Sequence, residues 1–565
     1  VSRHTLYGPR HAVAAGHYLA ATAAMTVLEE GGNAVDAGCA AGIALGVLQP
    51  DLVNVAGVAP ILIRLADGRA ESIAGLGHWP AATPPDVFLR EHGGMIPDGV
   101  RRTVIPAAPD AWITALERHG TMGFADVARF ALRWAAEGFA VFPLLRESIL
   151  AHRDDYARWE SNAAIFLPGG CVPALGERFV QADLARTLAY LCDEARAAEA
   201  RGGRLAGLAA ARRAFYEGDI AEAMVRFQRQ EGGWLSRDDL AGFRSRIEPV
   251  VSRPWRGHEL LACGPWCQGP ALVEALLLAE RAGIAGHAHN SADYIHLLTE
   301  CLKAAMADRE YHFGDPAFVE VPLEALLGEA HIAARAAEIR MDRAHPSLPG
   351  PLLGPAPAPL RPSARAIPKV EADTSYVAVV DRHGNAFSAT PSDGSWNAPV
   401  VPGLGLIPSN RGCQSRPDPR HPNGVAPGKR PRLTPNPAIL VTREGGVMPF
   451  GTPGGDVQIQ AMLQVLLNLF QHGMELQEAI EAPRFASYAA PSSFAPFEAF
   501  PGRLAIEARV PAAVRAELAR RGHGVVEWPE STWLAGSVEA VLTLPERGLV
   551  AAGADTRRPA HAIAG

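Results

Sequence analysis

Between His345 and Asp373 the chain carries eight prolines: Pro346, Pro349, Pro351, Pro355, Pro357, Pro359, Pro362 and Pro368. Each fixes φ and removes a backbone donor, so this stretch can hold no helix and reads as an extended connector. It separates two parts of different character. The part before it is mostly helical. Tyr18 to Glu30 has helical composition and ends at Gly31-Gly32-Asn33, residues that tolerate the positive φ a helix C-terminus wants. A second helix is predicted from about Ala34 to Leu48, where Val35, Cys39, Ile43 and Val47 recur every four residues and mark a core face. Further helical segments are expected near Asp110 to His119, Phe124 to Glu137, Leu184 to Ala200 and Ser291 to Asp308, with a short strand at Ile61 to Leu65.

After the connector the chain turns β-rich. Ser375 to Val380 is an apolar run of strand length, Asp381 to Asn385 is a turn, and Ala386 to Thr390 returns as a second strand. Pro437 to Thr442 and Val447 to Phe450 form another pair, Gln458 to Phe470 is a helix, and Ser537 to Leu544 with Leu549 to Ala552 make a last hairpin. Apolar strands bordered by helices point to a layered α/β sandwich. No internal repeat is visible.

Charge and cysteine content narrow the function. A net charge of -7 with no long basic block speaks against nucleic acid as a partner. Glu29, Glu30, Asn33 and Asp36 interrupt the Ala-rich start, and no apolar run approaches the roughly 20 residues of a membrane span. The seven cysteines are scattered, which argues against a disulfide framework. Cys263 and Cys267 have no second pair at zinc spacing, and His287 and His289 read as solvated loop residues. No metal or cofactor is expected. The cytoplasm is the expected compartment, with the periplasm as the option if a leader has been removed.

General catalytic motifs are absent: there is no GxSxG elbow, no HExxH and no P-loop lysine. Two segments stand out instead. In Glu371-Ala372-Asp373-Thr374-Ser375-Tyr376-Val377 a hydroxyl residue sits between the proline-rich arm and a buried strand. Alone, that is an ordinary strand start. In Gly451-Thr452-Pro453-Gly454-Gly455-Asp456 two glycines precede a helix, where backbone N–H groups and the helix dipole favour negative charge. Alone, that is an ordinary strand-to-helix turn.

Further pieces come in order along the chain. They are Gly31-Gly32-Asn33-Ala34-Val35-Asp36-Ala37, Phe215-Tyr216-Glu217-Gly218-Asp219-Ile220-Ala221, Gly232-Gly233-Trp234-Leu235-Ser236-Arg237-Asp238-Asp239-Leu240 and Gly314-Asp315-Pro316. Pro427-Gly428-Lys429-Arg430-Pro431 and Glu478-Ala479-Ile480-Glu481-Ala482-Pro483-Arg484-Phe485 follow. With them the chain resembles the γ-glutamyltranspeptidase family of N-terminal-nucleophile hydrolases, over nearly its whole length. The resemblance implies an α/β (α+β) fold, a four-layer αββα sandwich with a largely helical N-terminal portion. It implies a precursor that attacks its own Asp373–Thr374 bond. The products are a large subunit, 1–373, ending in the connector 345–373, and a small subunit, 374–565. These would stay together as a heterodimer, with a dimer of heterodimers as the larger option.

Thr374 then serves as nucleophile, and its freed α-amine, with a reference pKa near 8, serves as base. Gly454 and Gly455 are implied as oxyanion donors and Ser392 as the hydroxyl that orients the nucleophile.

The likeness breaks at the substrate pocket. Gly75-Leu76-Gly77-His78-Trp79-Pro80 lacks the family's carboxylate-binding arginine, and Val55-Ala56-Gly57-Val58-Ala59-Pro60 replaces a Gly-rich run. The family's paired serines become Leu433 and Thr434, and its acidic residue for the substrate amine becomes Gln414. Arg411 brings a planar donor fork to the same segment, suited to a carboxylate; the alternatives are pairing with a carboxylate such as Asp418, or facing solvent. Arg411, Gln414, Thr434 and Asp456 are the expected substrate-binding residues, for a small and anionic amide. Three readings remain: a γ-glutamyl hydrolase or transferase acting on glutathione-like amides, an amidohydrolase of a small acidic amide such as oxamate with water as acceptor, and a non-catalytic relative.

Overall fold

A computed structural model describes residues 2–357 and 373–565. Most of the proline-rich connector, 358–372, lies outside the described residues.

Two seven-stranded antiparallel sheets form the body. The first runs in the order Leu6–Gly8, Leu549–Ala554, Glu539–Leu544, Val447–Gly451, Ala438–Val441, His258–Ala262, Val251–Trp255. The second runs His561–Ala564, Ala12–Ala15, Val377–Val380, Ala386–Ala389, Ile61–Arg64, Ala70–Ile73, Ile247–Glu248. Both sheets take strands from each side of residue 373. The two predicted subunits are therefore interleaved partners in one hydrogen-bonded body, not separate domains.

The strand after Thr374 shows how the layers are specified. All four residues of Val377–Val380 are buried. Side chains alternate across a strand. Accordingly Val377 and Val379 join the cluster packed under the helices, while Tyr376, Ala378 and Val380 join the cluster between the sheets. A strand covered on both faces needs no polar alternation, which is why it reads as one apolar run. Val377 pairs with Ala389 on one side and Ala15 on the other. The strand that carries the candidate nucleophile is thus central and rigidly registered.

Close approach of the sheets depends on Gly451. A Cβ there would fall 2.3 Å from the Tyr376 ring, so only glycine lets Val447–Gly451 lie against the start of the Thr374 strand. On the outer face of the second sheet lie Tyr18–Glu29 and Ala34–Leu48, and on the first lie Gly269–Arg281 and Gln458–Phe470.

The helices at Ala34–Leu48, Phe124–Glu137 and Gln458–Phe470 lie where the sequence places them. Two readings are corrected. All fifteen residues of Ala34–Leu48 are buried, not one face, because other helices cover the side away from the sheet. Asn33 has φ -95 and caps that second helix, its side chain accepting from the Val35 and Asp36 amides, so only Gly31 supplies positive φ. Among the described residues no helix is long and apolar enough to cross a membrane. His287 and His289 are half-buried, and His289 packs on Tyr294 and His472.

Candidate active site

Thr374 sits at the entry to the central strand and is fully buried. Its φ is 76°, a region that β-branched residues rarely enter and that costs about 1–3 kcal/mol. The conformation is held from both sides. The Thr374 N–H donates to the Leu52 carbonyl at 3.1 Å, and Ser375 N–H to the Pro391 carbonyl at 3.0 Å. Strain is therefore stored at the residue whose preceding peptide bond the family pattern marks for cleavage.

The Thr374 side chain enters a closed polar network. Its Oγ1 lies 2.6 Å from Ser392 Oγ. Ser392 Oγ donates to Asp373 Oδ1 at 2.8 Å and accepts from Arg411 Nη2 at 2.5 Å. Arg411 also grips the Asp373 carboxylate with both Nη atoms, each at 2.6 Å. Such a bidentate, charge-assisted pair fixes geometry as well as energy. Arg411 is 1% exposed. Burial alone would pull its pKa down, but the Asp373 and Asp393 carboxylates outweigh that and push it up. Burial in turn raises Asp393 to about 6, partly offset by Arg411.

The Asp418 alternative for Arg411 is excluded, since Asp418 is paired with Arg420 at 2.7 Å. Solvent exposure is excluded as well.

The second segment lies beside a cavity of about 90 Å³. Gly454 and Gly455 have φ 119 and 56, so the loop takes a shape open to glycine and strained for other residues. Both line the cavity, together with Tyr488, Phe494, Trp533 and Arg558. Phe494 connects the two halves of the site. Its ring would touch a Cβ on Gly455 at 3.2 Å, and the Arg411 guanidinium lies 5.5 Å from its centroid.

The expected substrate residues are placed as follows. Gln414 and Thr434 are fully buried and bond each other: Gln414 Nε2 donates to Thr434 Oγ1 at 2.9 Å, and the Thr434 N–H to Gln414 Oε1 at 3.2 Å. Gln268 ties this pair to the glycine loop, donating to the Thr434 and Gly455 carbonyls at 2.8 and 3.0 Å. Asp456 accepts from Arg309 and from both the N–H and Oγ of Ser493. Burial would raise the Asp456 pKa, but the charge of Arg309 holds it below the usual carboxylate value. It thus anchors the glycine loop to the segment bearing Phe494.

With this geometry in place, comparison with known proteins decides the family. The gamma-glutamyltranspeptidase family model matches residues 20–565. The chain belongs to the γ-glutamyltranspeptidase family. Within it, the chain is 32% identical over 559 residues to the acylase ACY 1 proenzyme of Pseudomonas sp. (strain SE83), covering 96% of this chain and 92% of that one. It is 29% identical over 479 residues to the glutathione hydrolase proenzyme of Escherichia coli (strain K12), covering 81% and 78%. The crystal structure of cephalosporin acylase from Bacillus halodurans superposes with a TM-score of 0.84 at 26% identity, covering 100% of this chain and 97% of that one.

Seen as a γ-glutamyltranspeptidase-family site, the structure contains groups that sequence reading missed. Gln268 has no motif around it; it accepts from Arg309, 41 residues away, and donates to carbonyls at separations of 166 and 187. Arg558 sits in the loop between the two last strands, is 6% exposed, and lines the cavity. Its Nε and Nη1 have no hydrogen-bond acceptor among the described residues. Burial draws its pKa down to about 10, against the opposite pull of Glu539 and Asp51. Its Nη2 donates to the Trp533 carbonyl at 3.5 Å, and leaving the other two donors of a buried guanidinium without acceptors is costly.

Proposed function

We propose that this protein is a self-processing acylase, which cuts itself before Thr374 and then uses Thr374 to hydrolyse an amide. The observation that carries the reading is the hydrogen-bond chain from Thr374 Oγ1 through Ser392 to the Asp373–Arg411 pair, centred on the bond to be cut. We read the two facing sheets and their outer helices as the αββα sandwich of N-terminal-nucleophile hydrolases. Because both sheets draw strands from each side of residue 373, the two fragments would remain together as a heterodimer after cleavage.

In the cut protein the Thr374 amine takes the hydroxyl proton as Oγ1 attacks the substrate carbonyl, and the Gly454–Gly455 loop faces the developing oxyanion. Ser392 keeps the hydroxyl aimed. Once Asp373 is a chain end, Arg411 is available to a substrate carboxylate.

The acyl group is read from the cavity. Tyr488, Phe494 and Trp533 offer an apolar wall, and Arg558 offers two donors, Nε and Nη1, that have no acceptor among the described residues. That combination suits an acyl chain with an apolar body and an anionic end. The acylase and cephalosporin acylase names of similar proteins support the same class. A γ-glutamyl group would also need a partner for its α-amine, and Gln414 is already engaged with Thr434. A very small diacid amide such as oxamate would leave the aromatic wall unused.

Initial rates on a γ-glutamyl anilide, oxamate, a series of ω-carboxyacyl anilides and the matching neutral alkanoyl anilides separate these readings. The ω-carboxyacyl compounds are expected to lead, and leadership by the γ-glutamyl anilide would restore the glutathione-type reading. Arg558→Met is expected to reduce the preference for the anionic over the neutral acyl group by about ten- to 150-fold, the worth of a hydrogen bond to a charged group. An unchanged preference ratio would remove Arg558 from recognition.

A further inference from the structure

The self-cleavage reading leaves one proton without a destination. In the cut protein the Thr374 amine is free to act as base. In the uncut chain the same nitrogen is an amide, its N–H donates to the Leu52 carbonyl, and it has no basic lone pair to offer. Some other group must take the hydroxyl proton when Thr374 attacks its own preceding carbonyl.

We propose that the side-chain carboxylate of Asp373, reached through Ser392, is the proton acceptor for self-cleavage. The proposal rests on the reading that the chain cuts itself at this bond. It is carried by the valence of the Ser392 hydroxyl, which has one proton and two lone pairs. The proton can go to Asp373 Oδ1, since a carboxylate only accepts. One lone pair takes the Arg411 Nη2 donor. The remaining pair is left for Thr374, so Thr374 donates its hydroxyl proton to Ser392 across 2.6 Å. The Ser392 hydroxyl is then fully satisfied, and its bonds point in one direction, from Thr374 Oγ1 to Ser392 Oγ to Asp373.

Other candidates lack such a path. Asp51 and Asp393 are buried nearby, but neither carboxylate is hydrogen-bonded to Thr374 or Ser392 among the described residues, and no histidine or lysine is either.

The step balances without an outside oxidant or reductant. Thr374 Oγ1 bonds to the Asp373 carbonyl carbon while its proton passes to Ser392 and the Ser392 proton passes to Asp373 Oδ1. The carbon–nitrogen bond then breaks, its electron pair stays on Thr374 N, and the proton held by Asp373 passes back through Ser392 to that nitrogen. The product is an ester between the Asp373 carbonyl carbon and Thr374 Oγ1. Water hydrolyses it, leaving an α-carboxylate on Asp373 and a free hydroxyl and amine on Thr374. Asp373 now ends the large subunit, and the amine takes over as base. One nucleophile would use two bases in succession, the first spent by its own reaction.

The test follows the conversion of one chain to two fragments after purification of the full chain. Asp373→Asn keeps the shape but cannot take the proton, and it is expected to slow splitting by about 100-fold or more, the usual worth of a general base. Asp373→Glu is expected to recover part of the rate. Asp373→Ala is expected to be slow and to speed up in proportion to added formate, which would fill the place beside Arg411. A proton-accepting role predicts that the rescued rate rises with the basicity of the added carboxylate, from fluoroacetate to acetate; rescue that does not follow basicity would show a role confined to pairing with Arg411 and overturn the relay. Should Asp373→Ala fail to fold, the same carboxylate series is run on Asp373→Gly. Splitting of Asp373→Asn at the wild-type rate overturns the relay while leaving self-cleavage standing. A wild-type chain that never splits overturns both.

Discussion

Thr374→Ala is expected to leave the purified protein as one uncut chain with no measurable amide turnover, a loss on the order of 10⁴-fold or more. The alanine removes the hydroxyl that lies 2.6 Å from Ser392 and ends the polar network on the acyl side. No other hydroxyl occupies the same place. Ser375 Oγ is buried with no hydrogen-bond partner among the described residues and belongs to the second residue after the Asp373–Thr374 bond, while Ser392 Oγ already serves Asp373 and Arg411. The fold should survive, because the strand register rests on Val377–Val380 and not on the Thr374 side chain. Thr374→Ser keeps the hydroxyl and is expected to retain part of both activities. Gel analysis of splitting beside an anilide assay checks both variants, and an alanine variant that still turns over would remove Thr374 as nucleophile.

Arg411→Met is expected to block or strongly slow splitting of the uncut chain. From sequence alone Arg411 looks like a substrate residue whose loss should leave self-cleavage intact. The structure gives it an earlier duty, because in the uncut chain both Nη atoms hold Asp373. Removing one partner of a buried pair leaves the other charge uncompensated, at about 3–5 kcal/mol. Here that charge is on the residue whose carbonyl is to be attacked, so the penalty falls on the geometry of the scissile bond. Ser392 also loses a donor that holds its lone pair. Arg411→Lys is expected to recover less than charge conservation suggests, since an ammonium group cannot reproduce the two parallel donors. Band splitting over time, with circular dichroism to confirm folding, reads the effect. A rate equal to wild type would show that the Asp373–Arg411 pair is not needed for cleavage.

What the sequence shows and hides at this site follows from distance along the chain. Thr374 stands out where a proline-rich arm gives way to an apolar run, and Gly454-Gly455 where two glycines precede a strongly helical segment, but only the family resemblance attaches chemistry to them. Both are local signals. The helices Ala34–Leu48 and Gln458–Phe470 are legible for the same reason. The partnership of Arg411 with Asp373 spans 38 residues and has no periodicity to announce it. Asp418, seven residues from Arg411, looks like the nearer choice but is taken by Arg420 beside it.

The sequence offers Gln414 and Thr434 as substrate-binding positions; the fold shows them buried and bonded to each other, and neither lines the cavity beside Gly454 and Gly455. Arg558 is hidden most completely. It is one arginine next to another, and its meaning comes from its burial and from two donors without an acceptor among the described residues, which no sequence pattern records.

The most direct test of the central claim is the N-terminal sequence of the smaller fragment of the purified wild-type protein, with intact masses of both fragments. The account predicts two fragments that co-purify, the smaller beginning Thr-Ser-Tyr-Val at Thr374 and the larger ending at Asp373. A protein that hydrolyses amides as a single uncut chain, or a small fragment that begins at any other residue, would contradict it.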